Sequence, residues 1–238
     1  MHTGRQYRLQ EFVVWLRRDS LWVLTMVSLP TLVHGLTGWR WVALPWVPIA
    51  LVGTAAAFVV GFRNNATYAR AWESRQIYGS IINLSRAWGL LVMDIVRPTT
   101  QFTNAEAAAF RTRLVHRHIA WLTALRYQLR QPRPWESMQE PHNREYQRSY
   151  FKIPEEQRTL DECLDELVLP ADKRHVLACA NRATQLIALQ GRDLADLYER
   201  GVLEANHRVA MEQLLAALLA EQGKAERIKN YPCPRQFA

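Results

Sequence analysis

Thr54, Phe58 and Phe62 stand at i, i+4 and i+8, and a polar run follows them at once: Arg63-Asn64-Asn65, then Arg70, Trp72, Glu73 and Arg75. On an α-helix the first three share one face. Rings in that arrangement do no acid–base or nucleophilic chemistry. They either pack against a neighbouring helix, the usual role of an aromatic stripe, or face a common axis and form a hydrophobic constriction that gates by dewetting. The polar run offers ion pairs. Arg70 and Glu73 are i, i+3 neighbours and are expected to pair, with Arg63, Asn64, Asn65 and Arg75 meeting neighbouring helices or subunits. The simplest role for such pairs is to brace the base of the stripe, because partly buried ion pairs mostly fix geometry.

Other chemistry is absent from the sequence. There is no P-loop, Rossmann glycine pattern, HExxH or GxSxG, so neither an enzyme nor a bound cofactor is expected. His116 and His118 are i, i+2 on a predicted helix and point apart, which argues against a shared metal. The acidic run Asp161–Glu166 lacks the glycine and spacing of a Ca²⁺ loop and reads as an acidic helix start. Cys163, Cys179 and Cys233 show no CxxC spacing and read as reduced thiols. The net charge is +8 with a pI near 9.7. Its basic residues are spread along the chain with no aromatic RNP-type motif, so no nucleic-acid partner is expected. Arginines at membrane ends and on solvated helix faces account for the excess.

The stripe lies in an apolar front half. From Ser20 to Phe62 only Arg40 carries a full charge; from Arg63 onward charges are dense. Trp41–Phe62 has no Asp, Glu, Lys or Arg, and about 22 residues at 1.5 Å each cross a hydrocarbon core of about 30 Å. Leu21–Gly38 is a shorter first span, interrupted by Pro30 and His34. Trp39, Trp41 and Trp46 cluster around the linking turn, where an interface would hold them. Arg5, Arg8, Arg17 and Arg18 precede the first span and Arg63, Arg70 and Arg75 follow the second, against Arg40 in the turn. The positive-inside rule places both termini in the cytoplasm. Gly53, Thr54, Ala55, Ala56, Ala57 and Gly61 are small enough to let the second span approach other helices closely.

The helical pattern continues past Phe62 to about Val96, where Arg97-Pro98 ends it. Asn104 is a candidate N-cap for a second polar helix, with Leu114, Ile119, Leu122 and Leu125 as its apolar positions. A Pro-containing loop follows, tacked down by Trp135, Tyr146, Tyr150 and Phe151. Further helices are predicted at about 155–168, 171–199 and 203–222. No strand alternation appears. The expected class is all-α: a membrane helical hairpin over 1–62, then a cytoplasmic helical bundle over 63–238.

The stretch "FRNNATYARAWESRQIYGSIINLSR", Phe62 to Arg86, resembles the bacterial branch of the bestrophin family of channels. Phe62, Arg63, Asn64, Asn65, Tyr68, Arg70, Trp72, Glu73, Arg75, Tyr78, Gly79, Asn83, Ser85 and Arg86 fit the family pattern, and Ala71 departs where a bulky aromatic is usual. A second match is "GKAERIKNYPCP", where Glu226, Arg227, Ile228, Asn230, Pro232 and Pro234 fit and Ala225 replaces a cysteine. The resemblance covers nearly the whole chain.

It implies a homopentameric ion channel in the bacterial inner membrane, with the lipid bilayer and permeant ions such as chloride as its partners. The second transmembrane helix of each subunit would line the pore. The neck's last residue maps to Phe62, and counting back by turns gives Phe58 and Thr54. Thr54 departs from the usual apolar residue and makes the outer ring wetter. A second constriction is expected in the cytoplasmic part, with the helix around Leu186 and Ile187 as its candidate. Two other readings remain open: a cation-selective channel of the same family, and a membrane-tethered helical scaffold or sensor without a pore. Family members carry four transmembrane helices, the third beginning just after the second motif. The sequence ends there, so a fragment, a truncated reading frame or a lineage without the last pair is expected.

Overall fold

The computed structural model describes residues 9–39, 45–100, 102–136, 141–150 and 153–231. Among these the regular structure is helical: α1 (Leu9–Thr37), α2 (Trp46–Ile95), α3 (Asn104–Arg130), α4 (Pro141–Tyr150), α5 (Pro154–Gln157), α6 (Leu160–Asp165), α7 (Pro170–Ala178), α8 (Arg182–Glu199) and α9 (Ala205–Asn230). They form two compact units, each discontinuous in sequence. One comprises Met1–Ala66 with Pro134–Lys152, the other Thr67–Arg133 with Ile153–Ala238.

The first unit holds α1, the start of α2, and α4. Leu16–Thr37 and α2 are both long and apolar enough to cross a membrane, and the apolar windows of both have no residue buried within the protein. That exposure separates them from the core helices of a soluble protein, since an apolar surface this large needs an apolar environment. α2 starts at Trp46, which puts Pro48 in its first turn, where a missing N–H costs least. Gly38, at φ +66°, ends α1 in a left-handed turn and donates its N–H to the His34 carbonyl at 3.0 Å. The Thr25, Thr31 and Thr54 hydroxyls bond back to carbonyls of their own helices, so these three protons do not face lipid unpaired. The predicted loop after α3 contains α4, which is tied to α1 by an ion pair between Arg17 and Glu145 at 2.5 Å. Trp135 is exposed; the side chains of Tyr146 and Tyr150, and Phe151 as a whole, lie outside the described residues.

The second unit is a bundle whose core joins the later part of α2 to α3, α6, α7, α8 and α9. Ile77, Ile81, Trp88 and Val92 of α2 meet Leu114, Trp121 and Leu125 of α3, Leu186, Leu194 and Leu197 of α8, and Met211 and Leu218 of α9. Trp88 and Trp121 are fully buried. Each removes roughly 150–250 Å² from water, so truncating either to Ala costs about 3–5 kcal/mol. Ile119, expected to be apolar and inward, is exposed. The α3 N-cap is Thr103, one residue before the expected Asn104. Its side chain accepts from the Glu106 N–H while Glu106 accepts from the Thr103 N–H, a closed capping box. The expected helix over 171–199 is two helices, because Asn181 caps α8 by accepting the Thr184 N–H at 3.0 Å. α9 runs on to Asn230, past the expected end at 222.

Candidate pore neck and its base

In the first unit, Thr54, Phe58 and Phe62 lie on an unbroken helix. The Phe58 and Phe62 rings are stacked, with centroids 6.5 Å apart and planes at 25°. Both are largely exposed, at 64% and 71%. The ring stack is thus an open apolar strip and not part of the chain's own core. Thr54 Oγ1 donates to the Ala50 carbonyl at 2.8 Å, so its proton is spent on its own helix and only its lone pairs remain for water. Arg63, Asn64 and Asn65 are exposed immediately after the strip.

In the second unit the expected Arg70–Glu73 pair is replaced by partners from the other end of the sequence. Glu73 forms its ion pair with Arg227, and Arg70 donates to the main-chain carbonyl of Ile228. The two sequence motifs, 154 residues apart at the Arg227–Glu73 contact, therefore meet. The physical reason is at the end of α9. The last four carbonyls of a helix lack intrahelical partners, and the helix dipole makes that end attractive to cations. The Arg70 guanidinium supplies both a donor and a charge there, while Glu73 offsets the positive charge of Arg227. Trp72 and Arg75 are exposed on the same stretch of α2, and Asn230 is exposed at the last position of α9. Pro232 and Pro234 lie outside the described residues.

Glu226, next to Arg227, turns inward. Its carboxylate accepts from Gln128 at 3.1 Å, Asn181 at 3.2 Å and Gln222 at 2.7 Å. Gln222 is buried, accepts from the Trp121 indole at 2.8 Å and donates to Thr184 Oγ1 at 2.9 Å. This network ties α3, α8 and α9 together one residue from the contact with Glu73. The sequence reading missed Gln128, Asn181, Thr184 and Gln222; the available signal was Asn181 as a capping residue, three positions before Thr184.

Arg117 and His118 are also buried in the bundle. Arg117 lies between Asp172, at 2.6 Å, and Asp193, and also donates to the Leu189 carbonyl at 3.0 Å. Burial pushes the Asp193 carboxyl up, against the pull of Arg117 and Arg113. His118 packs against Trp88 and Trp121, with centroids 6.3 and 5.1 Å away. Burial lowers its pKa from 6.5 to about 4. Gln190 approaches the ring, yet neither ring nitrogen has a well-formed hydrogen bond. His116 is only half-buried. Asp161 and Asp165 of the acidic run meet Lys173 at 2.9 and 2.6 Å. Among the described residues no cluster of potential ligands could hold a metal ion. Leu186 and Ile187, the candidates for a second constriction, are 0% and 7% exposed inside the bundle core. Side chains enclosed by their own chain cannot line a channel, which overturns that expectation.

The chain is 28% identical to the voltage-dependent anion channel-forming protein RSc3414 of Ralstonia nicotianae over 218 residues, covering 92% of this chain and 60% of that protein. It is also 28% identical over 234 residues to the voltage-dependent anion channel-forming protein YneE of Escherichia coli K12, covering 92% of this chain and 66% of that protein. The chain thus spans less than two thirds of each of these relatives. Among solved structures, a point variant of a bacterial bestrophin homolog from Klebsiella pneumoniae superposes with a TM-score of 0.67 at 22% identity, over 95% of this chain and 70% of that one. A point variant described only as a membrane protein reaches a TM-score of 0.72 at 21% identity, over 93% of this chain and 70% of that one. The model of the bacterial/fungal bestrophin protein family matches residues 12–238, so this membrane-embedded, all-α chain belongs to the bacterial/fungal bestrophin family.

Proposed function

We propose that the chain is a subunit of a homopentameric anion channel in the bacterial inner membrane. α2 from each subunit lines the pore, Thr54, Phe58 and Phe62 form its hydrophobic neck, and residues 63–238 make up the cytoplasmic part. The observation that carries the reading is the exposed, stacked Phe58–Phe62 strip on a membrane-grade helix. A ring of such strips around an axis excludes water from a narrow pore, and conduction then requires widening or hydration of the neck. The electropositive edges of the rings suit a passing anion, in keeping with the names of the Ralstonia and Escherichia relatives. Arg70, Glu73, Arg227 and Ile228 hold the base of this pore helix, while Arg63, Asn64, Asn65 and Arg75 face adjoining subunits.

Chloride flux from liposomes containing the purified protein tests the neck. The double variant Phe58→Ala, Phe62→Ala is expected to raise flux by at least tenfold, on the order of 1.4 kcal/mol of barrier. Unchanged flux through an otherwise working channel removes these rings from the gate. No flux from the wild-type protein under any gradient removes the pore and leaves a membrane-tethered helical scaffold.

A further inference from the structure

The polar helix α4 has no evident task in conduction. It has ten residues, PHNREYQRSY, and an isolated helix of that length is marginal in water. The ion pair between Arg17 and Glu145 fastens it to α1. Arg17 stands one residue into the membrane-grade segment that begins at Leu16, so the pair fixes α4 at the level where lipid meets water. The sequence of α4 is too polar to enter the hydrocarbon. Arg144 and Arg148 are i, i+4 on one face, both are exposed, and neither has an ion-pair partner among the described residues. Glu145 is already neutralised by Arg17, and Arg18 adds another exposed positive charge nearby in sequence.

We propose that α4 is a membrane-surface helix that binds the headgroups of anionic phospholipids through Arg144 and Arg148. A guanidinium matches a phosphate with two parallel N–H donors, and an anionic leaflet concentrates such phosphates at this depth. Each basic residue near such a surface contributes about fivefold to association, so the pair contributes roughly thirtyfold. The surface supplies the stabilisation that a ten-residue helix lacks alone. The inference rests on the membrane placement of α1 and not on conduction, so a silent channel leaves its test intact.

The test is amide hydrogen exchange over residues 141–150 in the full chain, held in nanodiscs of phosphatidylcholine with or without phosphatidylglycerol. Phosphatidylglycerol is expected to slow exchange, up to roughly thirtyfold at full engagement. The change is smaller in Arg144→Lys, Arg148→Lys, which keeps the charge and loses the paired donors, and disappears in Arg144→Gln, Arg148→Gln. Equal exchange in the two lipids overturns the proposal, as does equal slowing in the glutamine variant. Slowing by inorganic phosphate over phosphatidylcholine alone overturns the assignment to a lipid headgroup.

Discussion

His118 links burial of a single ring to the pH dependence of the bundle. Its pKa of about 4 lies below the ordinary 6.5 because the charged form loses its hydration between Trp88 and Trp121. Between those two values the unfolded chain binds the extra proton and the folded chain does not. The contribution is therefore fully present above pH 6.5 and is lost as pH falls towards 4, by about 3 kcal/mol. Asp193, on the packed helix α8, works in the opposite sense because its carboxyl is pushed up. Substituting His118→Phe keeps an aromatic ring between the tryptophans and removes the titration. Thermal melts of the detergent-solubilised protein should show the wild type losing more stability than His118→Phe between pH 7 and 4.5. Parallel losses in the two proteins would mean that His118 is solvated in the native bundle.

Among the elements, the contact between α2 and the end of α9 joins the two sequence motifs within the second unit. Glu73 and Arg227 are both substantially exposed, so the pair by itself contributes under about 1 kcal/mol. Its value is positional, because the neighbouring Arg70 contact and the Glu226 network meet at the same turn of α9. Glu73→Arg places like charges together, and it is expected to lower the yield of assembled protein on size-exclusion chromatography. Adding Arg227→Glu should restore that yield, with the reversal potential of the assembled channel unchanged throughout. A reversal potential that shifts in intact assemblies would give Glu73 a role in ion selection instead. The sequence could not reveal this partner: spacing proposes only local pairs, and Arg227 lies far along the chain. What spacing does reveal is α2 itself, where no proline interrupts the helix between Pro48 and Pro98 and the hydropathy changes once, at Arg63. The break before α8 carries no glycine or proline, only the capping residue Asn181, so periodicity ran through it. Leu186 and Ile187 belong to the core, which the sequence alone does not distinguish, since an apolar pair looks the same whether it faces a core or a pore.

At the scale of the molecule, the proposed cytoplasmic placement of the residues flanking the two spans rests on the charge asymmetry along the sequence. Arg17 and Arg18 stand at the start of the apolar part of α1, Arg63, Arg70 and Arg75 follow the apolar part of α2, and between those two parts the sequence has Arg40 alone. Each arginine on the translocated side opposes insertion, so the distribution favours both ends of the chain inside. Cysteine labelling reads this directly. Cys163 and Cys179 are partly accessible thiols in the second unit and serve as internal controls. In spheroplasts, a membrane-impermeant maleimide should modify Thr37→Cys, at the end of α1, and leave the wild-type protein unlabelled. Lysis should then expose the native thiols to the same reagent. Labelling of the wild-type protein in intact spheroplasts, with Thr37→Cys adding nothing, would invert the topology. The anionic surface met by α4 would then belong to the outer leaflet, and the arginine bias would not be what orients the chain.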